Sequence, residues 1–317
     1  MLEFRQFNPG DEKAIERLFE LSYQRRLPEG IWQWRFRENP SGSSLIQLAW
    51  HGDKLVGHYA VTETVLEIQG HEVRTGLSGT TMTHPDYRGK GIFNVLATDT
   101  YARMIESGMI MVWGFPNALS HEGFMKGLGW KDIYEVPMFR IDSSSIAQLC
   151  DGPDNDSVEE VEDFDSRFDD LWQKVKNGYP VISKRDSRYL RWRYLKNPDG
   201  HYRIITFSDK GNLKGYAVFK RYRDELQVVD LLIAKNDIEI GESLMQFIIT
   251  HAVASDARSI SLWLNVTHPF HYALEKKGFR PEGPVTYFGG LDIMSRFDSS
   301  LYDFRGWYFT MGDSDVF

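Results

Sequence analysis

Cysteine is nearly absent: Cys150 is the single one in 317 residues. That excludes an internal disulfide framework and a cysteine-cluster zinc site, and it makes a cytoplasmic home the simplest expectation. No apolar run is long enough to span a bilayer, and Met1-Leu2-Glu3-Phe4-Arg5 leads into a strand pattern rather than a leader. A basic surplus is missing too. Lysine and arginine number 37 against 45 aspartate and glutamate, a net charge of -8. With no basic stripe, nucleic acid is not the expected partner. The glycines form neither a Walker loop nor the three-glycine dinucleotide fingerprint with its downstream acid. At 42% hydrophobic and 26% charged residues, this is an ordinary globular chain with the length of two domains.

What is present is the run Thr83-His84-Pro85-Asp86-Tyr87-Arg88-Gly89-Lys90-Gly91-Ile92-Phe93. It reads as a strand end, a short basic glycine turn and the first turn of a helix with Ile92, Val95, Leu96 and Ala97 at helical spacing. A helix N-terminus carries unpaired N–H groups and a positive dipole end, so it seats phosphate. Gly89 and Gly91 let the backbone approach an anion, and Arg88 and Lys90 add charge.

The segment Arg88-Gly89-Lys90-Gly91-Ile92 resembles motif A of the Gcn5-related N-acetyltransferases (GNAT), Arg/Gln-x-x-Gly-x-Gly/Ala, with Phe93 where the family prefers Gly or Ala. The flanks extend the resemblance over most of residues 1–140. A strand at Leu2 and Phe4 leads through Asn8-Pro9-Gly10-Asp11 into a helix bearing Ile15, Leu18 and Phe19. Strands from Val56 to Ile68 and Glu72 to Thr83 join at Gln69-Gly70-His71. An apolar strand from Met109 to Phe115 follows, then Asn117, a short helix, and Leu128-Gly129-Trp130, like the Leu-Gly-Phe of the family's motif B. The resemblance implies that Arg88, Gly89, Lys90, Gly91, Ile92 and Phe93 hold the pyrophosphate of acetyl-CoA. It further implies that backbone N–H groups of Met82 and Thr83 face the pantetheine and thioester, with Asn117 at the same site.

The chain also repeats itself. The segment from Trp34 to Gly42, WRFRENPSG, recurs from Trp192 to Gly200 as WRYLKNPDG, and the same spacing carries Leu55 and Gly57 onto Leu213 and Gly215. Trp113 and Gly129-Trp130 return as Trp263 and Gly278-Phe279. A repeat this long is a duplicated domain, and the polar, turn-rich stretch from Asp151 to Ser157 reads as the linker. The expectation is an α/β (α+β) fold of two tandem GNAT-like domains, similar to Eis-like enzymes, each a mixed, mostly antiparallel sheet flanked by helices. Residues 1–145 would hold the acyl-CoA site and 157–317 a degenerate copy. In that copy the loop becomes Glu239-Ile240-Gly241-Glu242, whose carboxylates repel a pyrophosphate, and Asp230 on the preceding strand is expected to add to the repulsion. One CoA site per chain follows.

Acyl transfer to an amine requires a neutral nucleophile. Neutralising an amine of pKa about 10.4 at pH 7 costs about 4.6 kcal/mol, which a general base can supply. The thioester carbonyl also needs a donor and the leaving thiolate a proton. Many relatives place a Tyr four residues before the closing Gly; here that position is Met125, beside Phe124, and the second copy has Leu274 with Tyr272 nearby. His121, with Glu122 at the start of the same short helix near Asn117, is the first candidate for the acid, and His84 and Tyr87 flank the loop. The strand that often carries an acidic base has Ser78, Thr80 and Thr81 instead, so Glu63 on the adjacent strand is the candidate base. The tail from Met311 to Phe317 is a third option, through Asp313, Asp315 or the terminal carboxylate of Phe317. On the acceptor side, Trp34 recurs as Trp192 and reads as packing, which leaves Trp32 as the substrate-side residue.

The expected function is an acetyl-CoA-dependent N-acyltransferase acting on a small-molecule primary amine, without metal, as a monomer or homodimer away from membranes. Two rivals stand beside it. One is a non-catalytic CoA-binding or structural protein, consistent with the missing Tyr. The other is a tandem aminoacyltransferase fed by tRNA, which the low basicity argues against.

Overall fold

A computed structural model describes residues 1–149 and 156–315. Cys150, most of the expected linker (residues 151–155), and Phe317 lie outside the described residues. The chain divides into two compact units: residues 1–66, 72–134 and 286–302 form the first, and residues 67–71, 135–285 and 303–317 the second.

The first unit follows the order β1 (Leu2–Gln6), α1 (Glu12–Tyr23), α2 (Ile31–Arg37), β2 (Leu45–His51), β3 (Lys54–Ile68), β4 (His71–Thr83), α3 (Ile92–Glu106), β5 (Met111–Gly114) and the start of β6 (Lys131–Asp142). Strands β1, β2 and β3 pair antiparallel in sequence order. The turn between β3 and β4 places Gln69 and Gly70 at φ of 51° and 83°, the left-handed pair that a tight hairpin requires. Strand β5 then joins β4 in parallel, over Gly76 to Ser78 against Val112 to Gly114. Helix α3 makes this crossover. It buries Ile92, Leu96, Ala97 and Met104 on one face of the sheet with Val56, Tyr59 and Val61 of β3, while Val95 points outward at 41% exposure. The close fit depends on Gly57, where a Cβ would stand 2.6 Å from Ile92 Cγ2 and 2.9 Å from Leu96 Cδ1. The other face is covered by α1 and α2, which bury Ile15, Leu18, Phe19, Trp32 and Phe36 against Leu48, Ala60 and Met82.

After α4 (Ser143–Leu149), the second unit runs β7 (Val158–Val161), α5 (Ser166–Val175), β8 (Val181–Ser183), α6 (Ser187–Leu190), β9 (Tyr202–Asp209), β10 (Asn212–Tyr222), β11 (Glu225–Ile233), α7 (Ile238–Ala254), β12 (Ser259–Leu262), α8 (Pro269–Lys276) and β13 (Arg280–Asp292), and ends in β14 (Trp307–Tyr308). It repeats the first unit's pattern. Strands β7, β9, β10 and β11 pair antiparallel, and β12 joins β11 in parallel after α7.

The repeat departs from a simple tandem in one respect. The antiparallel partner of β5 is the end of β13, Gly289 to Asp292 against Gly114 to Met111. The antiparallel partner of β12 is the end of β6, Phe139 to Asp142 against Leu262 to Ser259. Each sequence repeat therefore gives its last strand to the other repeat's sheet. The expected boundary between 145 and 157 follows the duplication in the sequence; the compact units instead change over after Tyr134 and again after Val285. The physical reason is that a strand belongs to the sheet that satisfies its backbone hydrogen bonds.

Candidate acyl-CoA site

Strands β4 and β5 stay paired only as far as Ser78 and Gly114. Beyond that point β4 continues to Thr83 while β5 ends, so the parallel pair opens at its carboxyl end, where open sheets bind ligands. Thr80 marks the opening. Its φ is 55°, a costly value for a β-branched residue. Two contacts hold it: the buried His58 Nδ1 lies 2.8 Å from the Thr80 carbonyl oxygen, and Arg35 Nη1 donates to Thr80 Oγ1 at 2.9 Å. Ser78 turns inward instead and donates to Tyr59, whose hydroxyl meets Tyr101, which accepts from Trp130 Nε1 at 2.8 Å. The closing Leu128-Gly129-Trp130 thus anchors α3 to the sheet through a buried polar chain.

From Thr83 the chain passes through a 3-10 turn, Pro85–Tyr87, to Gly89 and Gly91, both at φ of 74°. Open space surrounds both glycines, so backbone conformation, not crowding, selects glycine here. Gly91 is the N-cap of α3 and supplies no capping side chain, which leaves the helix's first N–H groups for solvent or an anion. Arg88 and Lys90 have no carboxylate within ion-pair distance among the described residues. Lys90 Nζ sits 4.6 Å from the Tyr87 ring centroid and Lys54 Nζ 5.6 Å, with Tyr87 Oη 2.6 Å from His51 Nδ1. Donors, dipole and uncompensated positive charge together fit a pyrophosphate. The side chain of Ile92 is core, at 2% exposure, and that of Met82 likewise, so both offer only backbone to a ligand. Phe93, in the position expected for Gly or Ala, packs its ring on Phe124 at 5.0 Å between centroids and lies close to Gly123. It couples the loop to the π-helical turn Gly123–Gly127.

Other expected site residues lie elsewhere or play other parts. Glu63 is buried and chelated by Arg74, with Nε 2.6 Å from Oε1 and Nη2 3.0 Å from Oε2, so both carboxylate oxygens are engaged by a guanidinium. Trp32 is 7% exposed and packs on Phe7 and Phe36 in the core. It is not an acceptor wall, because α2 turns its apolar face onto the sheet. Asn117 uses its side chain to cap the next turn, accepting from the backbone N–H groups of Leu119 and Ser120. Glu122 pairs with Lys126. His121 lies at the head of the helix after β5. Its Nε2 is 2.7 Å from Asp132 Oδ1, and its ring stacks on Tyr287 at 4.0 Å. Tyr287 escapes sequence reasoning because it arrives on the exchanged strand β13. Asp132 was legible only as the second residue after the closing Trp130.

The second unit explains the tail. Asp230 does not face a ligand: it is 2% exposed, accepting from Tyr194, Tyr216, Thr310 and Arg185. Asp313 likewise pairs with Arg185 at 2.6 Å, and Arg193 binds the carbonyls of Gly312 and Ser314. Asn265 donates to the carbonyls of Phe304 and Trp307, and Tyr308 Oη donates to the Leu231 carbonyl. Strand β11 pairs with β12 only to Val228. Beyond that point the tail lies on β11, with Tyr308 Oη on the Leu231 carbonyl and Thr310 Oγ1 on Asp230. Glu239 sits in the first turn of α7, as the degenerate loop predicted.

Comparison with known proteins agrees with this geometry. A family model described as an acetyltransferase (GNAT) domain matches residues 3–133. No curated protein matches the sequence. Among solved structures, a GCN5-related N-acetyltransferase from Anabaena variabilis is similar with a TM-score of 0.72 at 16% identity, over 92% of this chain and 73% of that one. A conserved protein of unknown function from Enterococcus faecalis, described as a probable N-acyltransferase, is similar with a TM-score of 0.70 at 14% identity, over 92% and 73%. Saccharomyces cerevisiae N-myristoyltransferase with bound myristoyl-CoA reaches 0.63 at 9% identity, over 92% and 79%. These likenesses are likenesses of fold, and they extend through both units. The sequence match, the β4/β5 pair and the glycine turn at α3 point the same way: residues 3–133 match an acetyltransferase (GNAT) domain.

Proposed function

We propose that the protein transfers an acetyl group from acetyl-CoA to the primary amine of a small molecule, at a single site in the first unit. The observation that carries the reading is the turn from Arg88 to Gly91, with two left-handed glycines and two cations that have no carboxylate partner among the described residues, at the uncapped head of α3, beside the open end of β4 and β5. In this reading Arg88, Gly89, Lys90, Gly91, Ile92 and Phe93 hold the pyrophosphate, the last two through backbone N–H groups. The stretch from Thr80 to Thr83 runs along the pantetheine, with backbone N–H groups of Met82 and Thr83 toward the thioester carbonyl. In this reading the second unit takes no acyl-CoA, because Glu239 stands in the first turn of α7 and the tail is bonded along β11.

A CoA-binding protein without turnover is the second reading, favoured by the engagement of Glu63 with Arg74. Two measurements separate them. Calorimetric titration of acetyl-CoA is expected to give one site per chain, lost in Gly91→Glu. Thiol release from acetyl-CoA is then expected with at least one member of a panel holding a polyamine, an amino sugar and a lysine derivative. Binding without thiol release would leave the second reading; no binding would remove both.

A further inference from the structure

The first unit holds a cluster of chemistry-bearing side chains that no motif brings together: His121 at the head of the helix after β5, Asp132 at the start of β6, and Tyr287 on β13. Asp132 Oδ1 is 2.7 Å from His121 Nε2, and the imidazole lies on the Tyr287 ring at 4.0 Å between centroids and 19° between planes. The histidine side chain is 23% exposed and Asp132 52%, so the pair opens to solvent rather than supporting the core. Two residues beyond His121, Gly123 lies against the Phe93 ring, on the first turn of α3. The helix that His121 heads therefore packs on the first turn of α3, which follows the glycine turn assigned to the pyrophosphate.

The hydrogen bond decides the chemistry. A carboxylate only accepts, so the neutral imidazole facing Asp132 carries its proton on Nε2 and its lone pair on Nδ1. Nδ1 has no hydrogen-bond partner among the described residues. An imidazole oriented by a carboxylate at one nitrogen and free at the other is the arrangement of a general base. The sequence pointed to His121 as an acid; the Asp132 contact assigns it the opposite task on the way in.

We infer that His121 is the general base of acyl transfer, that Asp132 positions it and stabilises its charged form, and that Tyr287, delivered by the exchanged strand of the second repeat, fixes the plane of the imidazole. The inference rests on the acyltransferase reading above. His121 Nδ1 takes one proton from the substrate ammonium, and the amine nitrogen bonds to the thioester carbonyl carbon. The nitrogen loses a second proton to solvent, the carbon–sulfur bond breaks with its electron pair on sulfur, and the imidazolium returns its proton to that thiolate. Amide, CoA thiol and one released proton result. The second repeat, which binds no CoA, thereby still contributes a ring to the active site of the first.

The test uses the full chain, acetyl-CoA and the best amine of the panel, with thiol release for rates and calorimetry for acetyl-CoA affinity. His121→Ala is expected to lower kcat about 100-fold or more while leaving acetyl-CoA affinity within roughly twofold. Asp132→Asn is expected to lower kcat about tenfold or more in the wild-type background, and to cost nothing further in His121→Ala, because it acts only through the imidazole. Tyr287→Phe keeps the ring and is expected to keep the rate; Tyr287→Ala is expected to lose several-fold in kcat. Near-normal turnover in His121→Ala, or an equal loss from Asp132→Asn in both backgrounds, would overturn the inference and leave the acyltransferase reading standing. Loss in Tyr287→Phe equal to that in Tyr287→Ala would overturn the positioning role in favour of its hydroxyl. A wild-type protein that releases no thiol with any amine would overturn both.

Discussion

Acidification should weaken the first unit through one residue, His58. Its side chain is fully buried on β3, and burial pushes its pKa from 6.5 down to about 4, against a small opposing effect of the bond to the Thr80 carbonyl. The neutral ring serves as donor through Nδ1, while Nε2 meets no partner. Protonation would place a charge at that orphaned nitrogen. The unfolded chain binds this proton as pH falls through about 6.5, whereas the folded chain resists until about 4. The unfolded state therefore holds more protons within that window, and stability falls as pH falls across it. Below about 4 the loss levels off. A shift of this size amounts to about 3 kcal/mol in full, of which about 2 kcal/mol is lost between roughly pH 7.5 and 5.

The assay is urea unfolding at a series of pH values in wild type and in His58→Asn. The asparagine amide can still donate to the Thr80 carbonyl but does not titrate. His268 is pushed to about 4 as well, by burial, Lys235 and His271, so the wild-type slope has more than one source; the difference between the two proteins isolates His58. The variant is expected to lose about 2 kcal/mol less than wild type over the same interval. Identical slopes in the two proteins would refute the reasoning. Because His58 secures Thr80 at the point where β4 leaves β5, the same acidification is expected to loosen acetyl-CoA binding in wild type before global unfolding.

Three further outcomes follow from the geometry. Gly91→Ala should weaken acetyl-CoA binding modestly, through about 1–2 kcal/mol of left-handed strain, whereas Gly91→Glu should abolish it; calorimetry with both variants separates strain from charge, and equal effects would count against a phosphate at this turn. Asp313→Ala should destabilise the second unit by roughly 3–5 kcal/mol, since Arg185 then keeps Asp230 as its single carboxylate among the described residues in a fully buried site; this is measured by denaturant unfolding, and a loss below about 1 kcal/mol would show that the network tolerates the vacancy. A fragment ending at residue 149, close to the boundary drawn from the repeat, should not fold by itself, because β5 loses its partner at Gly289 to Asp292 and exposes an apolar edge; a soluble fragment with cooperative melting would contradict the strand exchange.

Much of the first unit was legible because local rules and tertiary demands agree there. The basic glycine turn requires left-handed residues and a helix start, and Gly89, Gly91 and Ile92 meet both. The hairpin at Gln69-Gly70 and the duplication marked by Trp34 and Trp192 were readable for the same reason. Side-chain direction was harder. Glu63 and Trp32 occupy positions whose sequence neighbours do not reveal what packs on them; Arg74 and Phe7 decide that, through the β3–β4 pairing and the α2 packing. Asp230 was misread for a related cause. Charge at a strand end suggested an exposed repulsive site, but Arg185 lies 45 positions earlier in the chain and draws the carboxylate inward.

The proposed base is the part that sequence reasoning on a single repeat could not assemble, and strand exchange is why. A motif search looks for a proton-handling group within the domain that binds the cofactor, and at Met125 that search ends empty. The fold fills the place by another route. Because β13 crosses to pair with β5, Tyr287 is set on His121, and because β6 begins beside the closing Trp130, Asp132 reaches the imidazole. Both strands are the ones the repeats trade. Because the second copy supplies a strand to the first, losing the copy would remove both the partner of β5 and the ring stacked on His121. On the proposed reading, a copy can keep its fold for the strand it supplies while its loop carries Glu239 and Glu242.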